Sequence, residues 1–85
     1  MLAIILLSLH QKYDKSYLMN IGATIKERRA LLGISQQDLS DYSGVGISTI
    51  KDLERGIGNP SVETLRKILD VVGLEMVLQV KHTVI

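Results

Sequence analysis

The chain has no cysteine, phenylalanine or tryptophan, a single proline and two histidines in 85 residues. Without cysteine there is no disulfide and no thiolate metal site, and a reducing compartment is compatible with the composition. His10 and His82 stand at opposite ends of the chain, without the close spacing of a metal site, so no metal or other cofactor is expected. The only aromatics are Tyr13, Tyr17 and Tyr42, too few for the stacking platforms that hold single-stranded nucleic acid. Charge of one sign is also scarce: the formal net charge is +1, which by itself announces neither a nucleic-acid nor a membrane partner. No apolar run approaches the roughly 20 residues of a membrane span; the longest, MLAIILLSL at the N-terminus, has nine. That run is not a secretory signal either, because Lys12 and Lys15 follow it and no small-residue cleavage site closes it. A cytoplasmic protein is expected. An enzyme is not: no nucleophile, base and orienting acid form a recognisable set, and no phosphate-cradling glycine loop is present.

What is present is concentrated in residues 35–56, SQQDLSDYSGVGISTIKDLERG. Ser35 is a favourable N-cap and Asp38 stands where the reciprocal carboxylate of a capping box belongs, so a helix should start at Gln36. Ile34 and Leu39 have the spacing of a hydrophobic staple. Gly44 should end that helix in the left-handed conformation, Gly46 should cap the next, and Gly56 should close it after about Arg55. Leu39, Val45, Ile50 and Leu53 would lock the two helices at the steep angle of a helix-turn-helix, with Ser40 small enough to let them approach.

Around this pair the pattern predicts a helix over 20–32, with an apolar stripe of Ile21, Ile25 and Leu32 flanked by Ala23 and Leu31. Lys26, Glu27, Arg28 and Arg29 would form its solvated side. After a loop at Gly58, Asn59 and Pro60, Ser61 should cap a further helix whose face carries Val62, Leu65, Ile68, Leu69 and Val72, ended by Gly73. Residues 74–85, LEMVLQVKHTVI, change to the period of a strand. A lone strand needs a partner for its backbone, supplied either by the apolar N-terminus or by a second chain. Pairing across a two-fold axis, through Met76, Leu78 and Val80, is the economical solution. Residues 1–18 are then either an extra element packed on the domain or a partner, or an extension upstream of a start at Met19.

The second helix of such a motif enters the major groove of DNA while the first lies across the backbone. On that geometry Ile47, Ser48, Lys51 and Asp52 face bases, and Gln36, Thr49 and Arg55 face phosphates. Arg29 and Glu54 lie on faces that should meet as an internal ion pair.

Residues 35–56 followed by NPSVETLRKILDVVG resemble the lambda-repressor-like (Xre) helix-turn-helix family, over residues 21–73. SGVGISTIKDLERG with the appended LEMVLQVK is similar, more closely, to its HipB-type antitoxin branch. The resemblance implies a mainly α fold: a compact domain of four to five helices over 19–73, with a C-terminal strand over 74–85 pairing across a homodimer. It implies binding to palindromic double-stranded operator DNA, repression of its own operon and a HipA-type kinase toxin as partner. Gln36 and Arg55 match phosphate-contacting places of the family, Ile47, Ser48, Lys51 and Asp52 its groove-facing places, and Arg29 with Glu54 its internal ion pair. Gly46 and Ile47 stand where polar residues are common, and Asp52 where an amide is frequent. A repressor without a toxin, and a protein-interaction module that has lost DNA binding, remain open as alternatives.

Overall fold

The computed structural model describes the backbone of residues 3–6 and 16–77 and the side chains of residues 21–77. In chain order the elements are β1 (Ala3–Leu6), α1 (Ser16–Leu32), α2 (Gln36–Ser43), α3 (Ile47–Glu54), α4 (Val62–Val72) and β2 (Leu74–Val77). The described part is therefore mainly α, with four helices.

The local rules act as written in 35–56. The Ser35 side chain accepts from the Asp38 amide at 3.0 Å, and the Asp38 carboxylate accepts from the Ser35 amide at 2.9 Å, closing the capping box. Gly44 is left-handed, with φ 74°, and its N–H returns to the Ser40 carbonyl, so α2 stops there. Two residues later Gly46 precedes the first turn of α3. The Ser40 hydroxyl donates to the Val45 carbonyl at 2.6 Å, so this residue does more than leave space: it ties the turn back to α2.

The core lies where the four helices converge. Ile21 and Ile25 of α1, Leu39 of α2, Val45 of the turn, Ile50 and Leu53 of α3, Leu65, Ile68, Leu69 and Val72 of α4 and Leu74 of β2 are all buried. Two expectations about the stripes need correction. Leu32 and Leu31 are exposed, because the α1 face that holds Ile21 and Ile25 continues into Arg28 and Arg29, whose charged heads occupy the contact in its last turns. Val62 is exposed as well: it sits at the first position of α4, beyond the reach of the core, and the buried stripe begins at Leu65.

α1 and α3 approach closely at Gly22. A Cβ placed on Gly22 of α1 would stand 2.1 Å from the Leu53 carbonyl oxygen of α3, so the glycine is what lets these backbones touch. Arg28 also departs from the solvated role expected of it. Its Nε donates to the Val72 carbonyl at 2.9 Å, satisfying one of the orphan acceptors at the end of α4.

Gly73, left-handed at φ 77°, ends α4 and turns the chain directly into β2. β2 runs parallel to β1 of the same chain, in the register Ala3 with Leu74 through Leu6 with Val77. The apolar N-terminus thus supplies one edge of the C-terminal strand within the chain, whereas the sequence pattern favours pairing across a two-fold axis. α1 starts at Ser16, so the boundary placed at Met19 falls inside this helix. Of the strand residues assigned to a dimer contact, Met76 is half-buried against the core, whereas Leu78 and Val80 lie outside the described residues.

Candidate nucleic-acid interface

α3 is amphipathic in a simple way. Ile50 and Leu53 point into the core, and the residues between them are left outside. Ser48, Lys51 and Arg55 are exposed and Asp52 is half-exposed. Their spacing of three and four places these side chains on one stripe. Ile47 is half-buried at the start of the helix.

The stripe borders a groove of about 520 Å³ lined by Lys26, Gln36, Ser48, Lys51, Asp52, Glu54 and Arg55. α1, α2 and α3 all contribute to it. Lys26 was assigned only to a solvated face, yet the packing of α1 on α3 brings it beside Lys51 and Arg55. A sequence signal for this did exist: Lys26 precedes Arg29 by three residues, hence lies on the same side of α1, and Arg29 was already paired with α3.

Glu54, which lines the groove, is held in an ion pair. Arg29 Nε donates to Glu54 Oε2 at 2.7 Å and Nη2 donates to Oε1 at 2.9 Å, a two-pronged geometry. The side chains are 14% and 4% exposed, so this pair is largely removed from water. Arg29 Nη1 also reaches the Ile34 carbonyl at 3.0 Å, so one guanidinium joins α1, the α1–α2 turn and α3. Burial acts to raise the pKa of Glu54, but hydrogen bonds from Arg29 and Gln36, with the attraction of Arg29 and Lys26, hold it below the usual carboxylate value. The hydrogen bonds that Arg29 donates to Glu54 raise the pKa of Arg29 in turn.

Gln36, expected to face phosphate, donates its side-chain amide to Glu54 Oε1 at 3.1 Å. Gln36 also opens α2, whose first amides have no partner within the helix. Arg55, also expected to face phosphate, is held by Asp52 at 2.6 Å. Thr49 is exposed but stands on the other flank of α3. There a second cleft, of about 450 Å³, is bordered by Thr49, Asp52, Asn59, Ser61, Thr64 and Lys67 among others. The structure thus brings Ser48, Lys51, Asp52, Arg55 and Gln36 together and sets Thr49 apart, with Asp52 on the ridge between the two hollows. Chemically, the first groove offers three exposed cations, Lys26, Lys51 and Arg55, a hydroxyl and one accessible carboxylate, a set able to hold phosphate oxygens and bond base edges.

A family model for the helix-turn-helix matches residues 25–79. The chain belongs to this Xre-like helix-turn-helix family. An uncharacterized HTH-type transcriptional regulator of Haemophilus influenzae is 46% identical to it over 54 residues, covering 60% of this chain and 55% of that protein. The HTH-type transcriptional regulator DdrOP3 of Deinococcus deserti is 30% identical over 56 residues, covering 66% of this chain and 43% of that one. This helix-turn-helix chain therefore spans about half the length of the curated relatives it matches. Members of the family are typically not enzymes. Among the described residues no group of His, Cys, Asp and Glu side chains could hold a metal ion, and no helix is long and apolar enough to cross a membrane.

Proposed function

We propose that the protein is a sequence-specific DNA-binding transcriptional regulator acting as a repressor, with α3 as the helix that enters the major groove. The observation that carries this reading is the stripe of Ser48, Lys51, Asp52 and Arg55 on the outer face of α3, beside the start of α2 and the α1 side chain of Lys26. The names of the two relatives, both transcriptional regulators, support it. Ile47 and Ser48 at the N-terminal end of α3, with Lys51 and Asp52, are the base-facing residues. Arg55, Thr49 and the amides at Gln36 position the protein on the backbone.

Fluorescence anisotropy with the DNA upstream of the protein's own gene, over a salt series, tests this. Binding should be tighter to that DNA than to a scrambled duplex and should weaken steeply with salt. Equal affinity for any duplex at moderate salt, or none, removes the proposal. Replacing Lys51 and Arg55 together by alanine separates it from an interaction module without DNA binding, for which neither affinity nor repression would change.

The finer reading is a homodimer on a palindromic operator, in which the C-terminal strand contributes to the dimer contact and a HipA-type kinase toxin is the partner. Its support is the resemblance of SGVGISTIKDLERG and LEMVLQVK to that branch, and the strand period of the C-terminus. Deleting residues 76–85 should give monomers by analytical ultracentrifugation, and a truncated dimer would remove the strand from the interface. A HipA-like kinase gene beside this one would support the toxin partner.

A further inference from the structure

The outer stripe of α3 carries one residue whose charge is wrong for DNA. The helix, ISTIKDLE, holds two acids. Glu54 is neutralised by Arg29 and nearly inaccessible, so Asp52 is the carboxylate that α3 presents outward, with its side chain 43% exposed. It borders both hollows that flank the helix, and hence stands on the ridge a duplex would meet first. Its Oδ1 accepts from Arg55 Nη2 at 2.6 Å, and Arg55 is 67% exposed. A pair so open to water is weak and readily exchanged for another partner.

The two halves of this pair have different natural partners on DNA. A phosphate can take the guanidinium but only repels the carboxylate. The major groove offers a carboxylate two amino donors, N4 of cytosine and N6 of adenine, and cytosine is the better partner because the adjacent N7 of adenine is an acceptor that repels a carboxylate. We propose that Asp52 is an electrostatic check against random DNA: it withholds Arg55 from phosphate until a cytosine at the cognate position replaces Arg55 as its partner. On a duplex without that cytosine, giving Arg55 to a phosphate would leave the Asp52 carboxylate unpaired beside the negative backbone, so the exchange brings no net gain and the exposed acid opposes close approach. On the cognate duplex the cytosine amino group satisfies Asp52, and Arg55 is released to the backbone. The small net charge of +1 fits a protein in which general attraction to DNA is held down. This inference rests on the DNA-binding reading above.

The test uses the full chain, a random-sequence duplex and the tightest duplex that the wild-type protein selects from a randomised pool. Asp52→Asn keeps the size of the side chain and removes its charge. It should bind the random duplex about tenfold more tightly, and the slope of log affinity against log salt should steepen by about 0.9, the signature of one added phosphate contact. Combining it with Arg55→Ala should return the slope to that of Arg55→Ala alone. A pool selected by Asp52→Asn should change at one position from cytosine toward adenine, the base an amide reads best. Unchanged affinity and slope on the random duplex, or an unchanged selected sequence, overturns the inference while leaving the DNA-binding reading intact. A wild-type protein that binds no duplex overturns both.

Discussion

Replacing Gly22 by alanine is expected to destabilise the domain, and the sign of the effect is the informative part. Gly22 lies within α1, where helix propensity alone favours alanine by about 1 kcal/mol. The added methyl, however, would stand 2.1 Å from the Leu53 carbonyl oxygen and 3.0 Å from the Glu54 Cα, both backbone atoms that cannot rotate away. Close contacts between carbon and a carbonyl oxygen are about 3.3–3.6 Å, so α1 and α3 must separate by more than about 1 Å at this point. A gap of that size forfeits up to about half of the dispersion attraction across it. The loss falls on Ile21, Ile25, Ile50 and Leu53, and on the Arg29–Glu54 pair that spans the same two helices. Overpacking of this kind costs about 1–3 kcal/mol, with backbone displacement at the upper end. Set against the gain in propensity, the net loss is about 2 kcal/mol, or a fall in Tm of about 8–16 °C for a domain of this size. Urea and thermal unfolding followed by circular dichroism measure it directly. An alanine variant as stable as the wild type, or more so, would refute the close approach of α1 to α3.

Other expected outcomes follow from the same geometry. Glu54→Ala leaves the Arg29 guanidinium largely buried without its main partner and should cost about 3 kcal/mol in urea unfolding; an effect under about 1 kcal/mol would show the pair to be solvated. Because Glu54 titrates below its unfolded value of about 4.3, its contribution is present above that pH and is lost as the pH falls through the lower, folded value. Wild-type stability should therefore decline below about pH 4.3 more steeply than that of Glu54→Gln, and parallel curves would count against the assigned pair. Gly73→Ala should cost about 1–2 kcal/mol, since alanine is strained at φ 77° and its methyl would lie 3.1 Å from Arg28 Nη2. Gly46→Ala, with φ −58° and open space around the new methyl, should be neutral within about 0.5 kcal/mol; a larger loss would contradict the open turn.

The helix-turn-helix was legible from residues 35–56 because its determinants are local. Ser35 and Asp38 close their box across three residues, Gly44 needs only its own φ, and Leu39, Val45, Ile50 and Leu53 declare themselves by spacing. Local rules act through bonds and neighbouring turns, so one chain segment contains all that they require. The same rules misjudged Leu32 and Val62. Period tells which face a residue is on, but not how far along the helix the core extends.

The candidate site divides in the same way. That α3 would turn Ser48, Lys51, Asp52 and Arg55 outward could be read from Ile50 and Leu53 turning inward, because one helix settles both. Which of those groups are already engaged could not, since hydrogen bonds between elements depend on angles and distances that no single segment holds. Only the packed structure turned Gln36 toward Glu54, put Lys26 beside the α3 stripe and moved Thr49 to the far side of the helix. It also placed Gly22 against a carbonyl thirty-one residues away, gave Arg28 to the end of α4 and laid β1 along β2. The sequence by itself determined the motif and the outward face of its second helix, through short-range caps and periodicity. Tertiary structure decided the partners of each polar group, because those are set by how close two helices can come.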